Sequence, residues 1–277
     1  MNRIYIIAEI GINHNGDRAI ARRLIDVAKE AGCDAIKFQK RTIHIVYPEA
    51  VLNTPRESPW GTTTRQQKEG LEFGLEAYRE IDAYCRNRQI DWFASAWDLE
   101  SQRFLQQFNC PHNKIASAML THTKFLESVA GEKKHTFLST GMCTSQQLDA
   151  AVEIFTSRGC PVTLMHTVSV YPCKEEHLNL AMIAALRDRY RLPVGYSGHE
   201  VSPIPSIIAA GLGAVAIERH ITLDRAMYGS DQAASLEKRG LEILVGGVRT
   251  AEVVLGSREK SFGDAERAVA KKLRYWE

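Results

Sequence analysis

PVGYSGH at residues 193–199 and AVAIERH at residues 214–220 are two short apolar runs with polar residues at their carboxyl ends. Each run has the length of a buried strand, and the segment between them suits a helix, an order typical of a parallel sheet wrapped by helices. The same order recurs outward along the chain. It predicts eight strands, near residues 3–10, 34–39, 91–96, 113–117, 135–140, 162–168, 193–198 and 214–221.

The length of the chain indicates how this sheet closes. At 277 residues the chain has the size of one (β/α)8 barrel, which typically takes about 250 residues. An open doubly wound sheet more often carries a Gly-rich dinucleotide turn after its first strand, and GINHNG at residues 11–16 is not of the GxGxxG type. The sequence therefore predicts an α/β fold with a single-domain (β/α)8 TIM barrel over residues 1–277.

Two segments depart from the strand–helix alternation. Residues 41–70 are predicted as a long irregular loop after the second strand, on the catalytic face, because so long a loop inside a compact domain is usually functional or mobile. Residues 256–277 are predicted as a C-terminal tail or linker remnant.

Composition argues against several classes of protein. The net charge is only +2, and no clustered basic face typical of a nucleic-acid binder is visible. The six cysteines lack CxxC or metal-finger spacing, which favours reduced thiols over disulfides or a zinc site. The N-terminal apolar run contains Glu9, and no stretch approaches the roughly 18 apolar residues of a membrane span. We therefore expect a cytoplasmic protein with no nucleic-acid or membrane partner.

Polar residues inside the predicted strands indicate an active site. Barrel strands are buried on both faces, so a polar side chain within them requires an explanation. Successive side chains of a strand point in opposite directions, so residues two apart share a face. The pairs that share a face are Lys37 with Gln39, Ser197 with His199, and Glu218 with His220. Glu9 lies near the carboxyl end of the first strand, the end where barrel active sites lie. Four strands therefore direct polar groups toward one rim.

His199 and His220 end two adjacent predicted strands, and together they favour a shared divalent metal. Two imidazoles with open coordination positions suit a Mn-, Zn- or Fe-type ion better than Mg²⁺, which prefers oxygen ligands. Glu218, taken alone, is interpreted as a residue that orients its neighbours.

A further set of hydroxyl and charged groups follows the strand ends: Lys114, Ser117, Ser139, Ser169 and Asp231. Together, hydroxyls and a lysine can form a cradle for phosphate, although each serine alone is more often a turn or cap residue. Lys114 and Ser117 differ in parity, so both face the lumen only if the strand ends or bulges between them.

Seven motifs, in this order and spacing, resemble the barrel domain of the sialic acid synthase family, which includes N-acetylneuraminate, legionaminate and pseudaminate synthases. They are AEIGINHNGD, AGCDAIKFQ, KIAS, LSTGM, HTVSVYP, GYSGHE and IERHITLD. The resemblance runs from about Ile6 to Asp231. Each motif is short, but seven in register are specific.

The resemblance implies a transferase that forms a C–C bond. C3 of phosphoenolpyruvate attacks the aldehyde of an open-chain N-acetylmannosamine-like hexose, water adds to C2, and phosphate leaves with C–O cleavage, giving a nonulosonic acid. The resemblance also implies that His199 and His220 bind a divalent ion that polarises the aldehyde, with Mn²⁺ expected first and Mg²⁺ or Co²⁺ as alternatives. A homodimer is implied as well.

The resemblance assigns roles to the other candidate residues. Glu9, Lys37 and Asp231 match positions at the reacting centre, where the two carboxylates could orient or deprotonate water. The positions that match substrate contacts are Lys37, Lys114, Ser117, Ser139 and Ser197 for phosphoenolpyruvate, and Gln39 and Tyr171 for the sugar. Ser169 is a further substrate-binding candidate.

The sequence departs from the family in three places. We expect no antifreeze-like C-terminal domain, which in the family supplies an Arg to the partner subunit's site. The acid of the family's Ser-Gly-Glu run is replaced by Met119, and the Asn of the HCTNxYP motif by Ser169. The identity of the acceptor therefore stays open, and residues 41–70, with Arg56, Trp60 and Arg65, are candidates for the missing sugar contacts.

Two alternative functions remain open. A related 3-deoxy-ulosonate synthase would use a phosphorylated sugar, for whose phosphate Arg41, Arg56 and Arg65 are candidates. A non-catalytic descendant would bind a sugar or phosphoenolpyruvate without turnover, although the retained His199 and His220 argue against it.

Overall fold

Eight parallel strands close into a barrel in the computed structural model, which describes residues 3–257 and 259–276. The barrel strands are β1 (Tyr5–Gly11), β2 (Ala35–Lys40), β5 (Asp91–Ala96), β6 (Asn113–Ile115), β7 (Thr136–Ser139), β8 (Val162–Thr167), β9 (Val194–Gly198) and β10 (Ala216–His220). The other two strands, β3 (Pro55–Ser58) and β4 (Gly61–Thr63), form a separate hairpin. Their order around the barrel is β1, β10, β9, β8, β7, β6, β5, β2. The predicted (β/α)8 fold is confirmed. Met1, Asn2, Arg258 and Glu277, which belong to the predicted domain range, lie outside the described residues.

Helices surround the barrel. Within the described residues they are α1 (Arg18–Ala31), α2 (Ile43–Val46), α3 (Glu49–Leu52), α4 (Thr64–Leu71), α5 (Leu75–Arg88), α6 (Leu99–Leu105), α7 (Thr123–Gly131), α8 (Ser145–Ser157), α9 (Met182–Tyr190), α10 (Ile204–Gly211), α11 (Lys238–Val254) and α12 (Asp264–Leu273). None of the helices in this part of the chain is long and apolar enough to cross a membrane.

Local sequence signals set the helix ends. The Asp17 carboxylate accepts hydrogen bonds from the first free N–H groups of α1, and the helix stops where Gly32 adopts a left-handed conformation with φ 90°. Thr144 and Gln147 form a capping box at the start of α8, because each side chain accepts a hydrogen bond from the other residue's backbone N–H group.

The first strand shows how the core and the site meet. Ile6, Ile7, Ala8 and Ile10 are buried in the apolar core, and Glu9 between them is equally buried although it is a carboxylate. A buried charge needs a partner. The Glu9 side chain therefore points into the lumen at the carboxyl ends of the strands, where its partner Lys37 lies.

Residues 41–70 differ from the irregular loop that the sequence predicts. They form α2, α3, the β3–β4 hairpin and most of α4. The Trp60 ring lies against Gly70, where a Cβ atom would meet it at 2.2 Å. Short polar elements of this kind lack the apolar periodicity by which longer elements are recognised in a sequence.

Residues 256–277, predicted as a tail, contain the amphipathic helix α12. None of its side chains is buried.

Candidate active site

A cavity of about 60 Å³ lies at the carboxyl ends of the barrel strands, and we call it the central cavity. Eleven of the twelve sequence-predicted site residues line it: Glu9, Lys37, Gln39, Lys114, Ser117, Ser139, Ser169, Tyr171, Ser197, His199 and His220. The lining also contains Ser95, Trp97, Thr167 and Glu218. The lumen therefore brings together polar groups from strands that are far apart in the sequence.

Strand register explains this convergence. Glu9 of β1 pairs with Lys37 of β2 on one side and with His220 of β10 on the other. The three residues thus lie at the same level of the barrel and share the inward direction. β6 ends at Ile115, so Lys114 and Ser117, which differ in parity, both reach the cavity.

A chain of buried charges crosses the central cavity. The Lys37 ammonium lies 2.7 Å from a Glu9 oxygen and 3.7 Å from Glu218, and the Lys114 ammonium lies 3.1 Å from the same Glu218 oxygen. Ser197 donates to this oxygen at 3.2 Å. Burial by itself raises the pKa of Glu218, but Lys114 and then Lys37 outweigh this effect, so the net shift is downward.

Lys114 experiences the opposite balance. Burial lowers the pKa of its ammonium group, while the Glu218 carboxylate raises it in part. Glu218 therefore favours the charged form of a lysine that the surrounding protein would tend to discharge. The interpretation of Glu218 as an orienting residue fits these contacts.

Hydroxyl groups complete this half of the cavity. Lys37 donates to the Ser95 hydroxyl and Lys114 to the Ser139 hydroxyl, each at 2.8 Å. A Cβ atom at Gly141 would lie 2.6 Å from the Ser169 hydroxyl and 2.8 Å from the Ser117 hydroxyl. Glycine at this position thus leaves room for two hydroxyls beside the lysines. Such a set of donors suits an oxyanion such as phosphate or carboxylate.

The two histidines face each other across the other half of the cavity, with ring centroids 5.5 Å apart. His199 Nδ1 lies 2.9 Å from the carbonyl oxygen of Val168, and a carbonyl can only accept, so this nitrogen bears the proton. Burial and then the neighbouring His220 lower the pKa of His199 to about 3, so its ring is neutral and Nε2 has a free lone pair.

His220 is the second imidazole of the pair. Its buried Nδ1 has no hydrogen-bond partner within the described residues. A neutral ring with a fixed tautomer beside a ring with an unpaired nitrogen fits two-point binding of a divalent transition metal. Within the described ranges, however, no group of three or more His, Cys, Asp or Glu side chains is arranged to bind a metal. The protein would therefore supply two ligands.

Asp231 is the predicted site residue that does not line the central cavity. It lies in the loop after β10, where its carboxylate is 3.8 Å from His220 Nδ1. It lines a neighbouring cavity of about 220 Å³, which we call the outer cavity. Gln39, Trp97, Met142 and Tyr171 line both cavities, so the two adjoin.

Two cations, Arg41 and Lys68, line the outer cavity. The Arg41 guanidinium lies over the Trp97 ring at 4.0 Å and donates to Gln39, and the Lys68 ammonium lies over the Tyr47 ring at 5.0 Å. Burial lowers the pKa of Lys68, and the charges of Arg41 and Arg56 lower it further. Among the described residues, neither Arg41 nor Lys68 forms an ion pair.

The other candidates from residues 41–70 lie elsewhere. Arg65 pairs with Glu49 and Glu69, and Trp60 packs against Tyr228, so neither lines the two cavities. Arg56 is exposed on β3. Met119, which replaces the family acid, lines a separate groove beside Trp97 and Ile45.

Sequence reasoning missed Ser95, Thr167 and Trp97. Ser95 pairs with Gln39 across β2 and β5, so the alternation that places Gln39 in the lumen places Ser95 there too. A hydroxyl in the buried run DWFASA was the available signal. Thr167 lies 3.5 Å from His199 Nδ1. Trp97 follows a strand end and resembles an ordinary core aromatic.

Fold and site together are those of a barrel of the enzyme type, whose cavity has a half lined by lysines and hydroxyls and a half lined by histidines. Residues 24–260 match the NeuB family, and the chain belongs to this family. The chain is therefore a transferase of the synthase type.

Individual relatives agree with this assignment. The chain is 37% identical to human N-acetylneuraminate-9-phosphate synthase over 97% of its own length and 76% of the relative's. It is 33% identical to the N,N'-diacetyllegionaminic acid synthase of Legionella pneumophila, over 95% of the chain and 76% of the relative. The crystal structure of an N-acetylneuraminic acid synthetase from Leptospira borgpetersenii, in complex with citrate, superposes with TM-score 0.87 at 30% identity, covering 99% of this chain and 93% of that one.

Proposed function

We propose that this protein condenses phosphoenolpyruvate with the aldehyde of an N-acylated hexose, giving a nonulosonic acid and phosphate. One observation carries the proposal: two buried lysines and a set of serine hydroxyls lie in the same cavity as two facing histidines. Phosphoenolpyruvate is a compact polyanion and requires donors of this kind. The relatives named as an N-acetylneuraminic acid synthetase and an N,N'-diacetyllegionaminic acid synthase support the same reaction.

The lysine half of the cavity suits the donor. Lys37 and Lys114 would contact the phosphate and carboxylate oxygens, with Ser95 and Ser139, which accept from the lysines, donating their O–H groups to the remaining lone pairs. The Ser197 hydroxyl would have to rotate away from Glu218 to become a third donor. Glu218 accepts a hydrogen bond from Lys114 at 3.1 Å and lies 3.7 Å from the Lys37 ammonium, so one carboxylate holds the two ammonium groups near each other. Binding in this geometry would direct C3 of the donor toward the histidine half.

The histidine half suits the acceptor. His199 and His220 would bind a divalent ion, Mn²⁺ first and Mg²⁺ or Co²⁺ as alternatives, which when bound supplies Lewis-acid polarisation of the acceptor's carbonyl oxygen. Gln39 and Tyr171 lie between the central and outer cavities and can orient the rest of the acceptor. Glu9, fixed by Lys37 and by a 2.8 Å bond from Gln39, and Asp231 are the carboxylates available to accept a proton from water.

Release of inorganic phosphate tests this proposal. The purified protein, supplied with phosphoenolpyruvate, Mn²⁺ and a panel of N-acylated hexoses, should release phosphate only when an acceptor is present. A Lys114→Met variant should lose this release by a factor of about 100 or more, because one charge-assisted contact and the pairing of Glu218 are lost together. Folded protein that binds phosphoenolpyruvate but releases no phosphate with any acceptor would contradict the proposal.

A phosphorylated acceptor is the second candidate, and the outer cavity favours it. Arg41 and Lys68 line a space that adjoins the histidine half, and within the described part of the chain neither forms an ion pair with the carboxylates there, Glu72 and Asp231. An anionic group on the distal end of the acceptor would neutralise them, and the human relative is named for a 9-phosphate product.

Variants of the basic residues separate the two candidates. If the acceptor is phosphorylated, Arg41→Gln and Lys68→Gln should each raise its KM by about 10- to 100-fold, the value of one charge-assisted hydrogen bond to an anion. Arg65→Gln, in the same segment but paired with Glu49, is the matched control. Equal kcat/KM for the neutral and the phosphorylated sugar would exclude the second candidate and leave the first intact.

A further inference from the structure

The backbone pairing between β9 and β10 ends before it reaches the two histidines. Its last pair is Gly198 with Arg219, and His199 lies beyond the end of β9. The backbone of His220 is still held by its pairing with Glu9 of β1. The segment that begins at His199 therefore needs another contact to fix its position relative to β10.

The Arg219 guanidinium supplies this contact on the outer face of the barrel. It donates to the backbone carbonyl oxygen of Glu200 and, at 2.9 Å, to that of Ser202, so it binds the segment directly after His199. The same guanidinium pairs with the Glu200 carboxylate. Arg219 itself directly precedes His220. One side chain therefore connects the backbone beside one histidine to the backbone beside the other.

The Glu200 carboxylate packs against the last residue of β9. A Cβ atom at Gly198 would lie 2.5 Å from Glu200 Oε2 and 2.7 Å from the Tyr196 ring, so glycine leaves the room that the carboxylate needs. The Tyr196 hydroxyl donates to Oε2 at 2.8 Å, and the Ser206 hydroxyl donates to Oε1 at 3.3 Å. Both carboxylate oxygens are thus bonded, and the position of the ion pair is fixed from several sides.

Net stability alone does not explain this buried pair. The cost of moving two charges out of water can exceed the energy of their attraction, so apolar side chains of similar volume are often as stable or more stable. The directional bonds of the pair, by contrast, fix the backbone geometry. Metal affinity depends on such geometry, and residues that orient metal ligands typically change it by about 10- to 100-fold.

We propose that Arg219 and Glu200 are positioning residues, whose ion pair fixes the orientation of the His199 and His220 rings. Neither Arg219 nor Glu200 lines the central cavity, so the pair acts on the rings through the backbone. The inference rests on the proposed function where the divalent ion is concerned, whereas the ring orientation can be measured in metal-free protein.

A variant without either charge tests the orientation of the rings. Arg219→Met, Glu200→Leu leaves no charge buried and should remain folded. In metal-free wild type with ¹⁵N-labelled histidine, nuclear magnetic resonance should show one tautomer of His199, with the proton on the Nδ1 that bonds the Val168 carbonyl oxygen. The double variant should show both tautomers in exchange. The signals of His199 are assigned by their loss in His199→Gln.

A second variant covers the case in which the double variant does not fold. Arg219→Lys keeps the charge but lacks the planar fork that reaches the carboxylate and the carbonyl oxygens together. The same loss of a single His199 tautomer is expected for it.

Affinity for Mn²⁺, measured by electron paramagnetic resonance, gives the second readout. The double variant should bind Mn²⁺ about 10-fold or more weakly than wild type. Arg249→Met, Asp34→Leu is the matched control, because it removes a 2.7 Å ion pair at the amino end of β2 and should change neither readout.

Two results would overturn the proposal: a single His199 tautomer in the double variant, or an Mn²⁺ affinity equal to that of wild type. If wild type itself binds no Mn²⁺, the ion in the proposed function is wrong, and the His199 tautomer alone decides whether Arg219 and Glu200 position the ring.

Discussion

At the scale of single residues, the central cavity shows why its charges occur in pairs. Burial lowers the pKa of the Lys114 ammonium group, since desolvation disfavours the charged form. Glu218 lies within ion-pair distance of both Lys114 and Lys37 and favours the charged form of Lys114. For the proposed reaction this pairing would orient the lysine before an anionic substrate binds, which is the condition under which a preorganised site stabilises charge most effectively.

The histidine pair gives the prediction at this scale. His199→Ala or His220→Ala should abolish acceptor-dependent phosphate release and weaken Mn²⁺ binding by at least about 10-fold, because each removes one of the two proposed protein ligands. The melting temperature should stay within a few degrees of the wild-type value, since both rings face a cavity and not the packed core.

A second buried histidine serves as the control. His166 of β8 lies outside the central cavity, and its Nε2 bonds the Leu178 carbonyl oxygen at 2.8 Å. His166→Ala should lower the melting temperature without changing the affinity for Mn²⁺, measured by electron paramagnetic resonance. If instead His199→Ala unfolds the barrel and leaves Mn²⁺ binding to the remaining folded protein unchanged, the histidines are structural.

At the scale of elements, the ends of β9 and β10 are joined by a buried ion pair. Arg219 and Glu200 are 1% and 0% exposed, and Arg219 Nη1 lies 2.9 Å from Glu200 Oε1. Tyr196 donates to the other carboxylate oxygen at 2.8 Å. Successive side chains of a strand point to opposite faces, so these residues point outward, away from His199 and His220. Their bonds therefore join the two strand ends on the outer face of the barrel.

Breaking this pair from one side should be costly. Arg219→Met leaves the Glu200 carboxylate buried without its counter-ion, and we expect a loss of about 3–5 kcal/mol in the free energy of unfolding. The double variant Arg219→Met, Glu200→Leu should recover most of the loss, because no charge remains buried. Urea denaturation measures both values. A double variant as unstable as the single one would mean that packing, and not the charge pair, accounts for the effect.

Much of this site follows from alternation along strands, but only where the strand is regular. Lys37 and Gln39 in β2 and Glu218 and His220 in β10 are assigned to the lumen from parity alone, and the structure places them there, while their roles stay predictions. Asp231 lies in a loop, where no period applies, and the structure places it in the outer cavity.

Residues 41–70 show a second limit of sequence reasoning. A two-stranded hairpin and one-turn helices gain their stability from contacts such as Trp60 with Gly70, and those contacts depend on the barrel below them. Arg41 and Lys68 line the same outer cavity only because these short elements fold over the barrel. Their proximity therefore could not be inferred from spacing in the sequence.

At the scale of the whole molecule, several histidines are buried in neutral form. The His14 ring is fully buried and stacks on Phe73 with centroids 4.0 Å apart, and burial lowers its pKa to about 3. His112 pairs with His135 at the opposite end of the barrel wall, and burial followed by the charge of His135 lowers its pKa to about 4. In the unfolded chain both groups would titrate near 6.5.

These shifts predict acid sensitivity of the fold. The pKa of His14 is lower in the folded protein than in the unfolded chain, so below pH 6.5 the unfolded chain binds more protons and folding becomes less favourable. The contribution is complete above about pH 7 and decreases as the pH falls toward 3. For a fully buried group like His14, this contribution to the free energy of unfolding amounts to about 2 kcal/mol between pH 6.5 and pH 5.

A His14→Gln variant should therefore lose less unfolding free energy than wild type over this interval, whatever its stability at pH 7. Carboxylates titrate in both proteins and cancel in the comparison. His177→Gln, at a histidine whose side chain is 59% exposed, should follow the wild-type curve. Parallel curves for wild type and His14→Gln would show that His14 is protonated in the folded protein at pH 5, which its burial among apolar rings makes unfavourable.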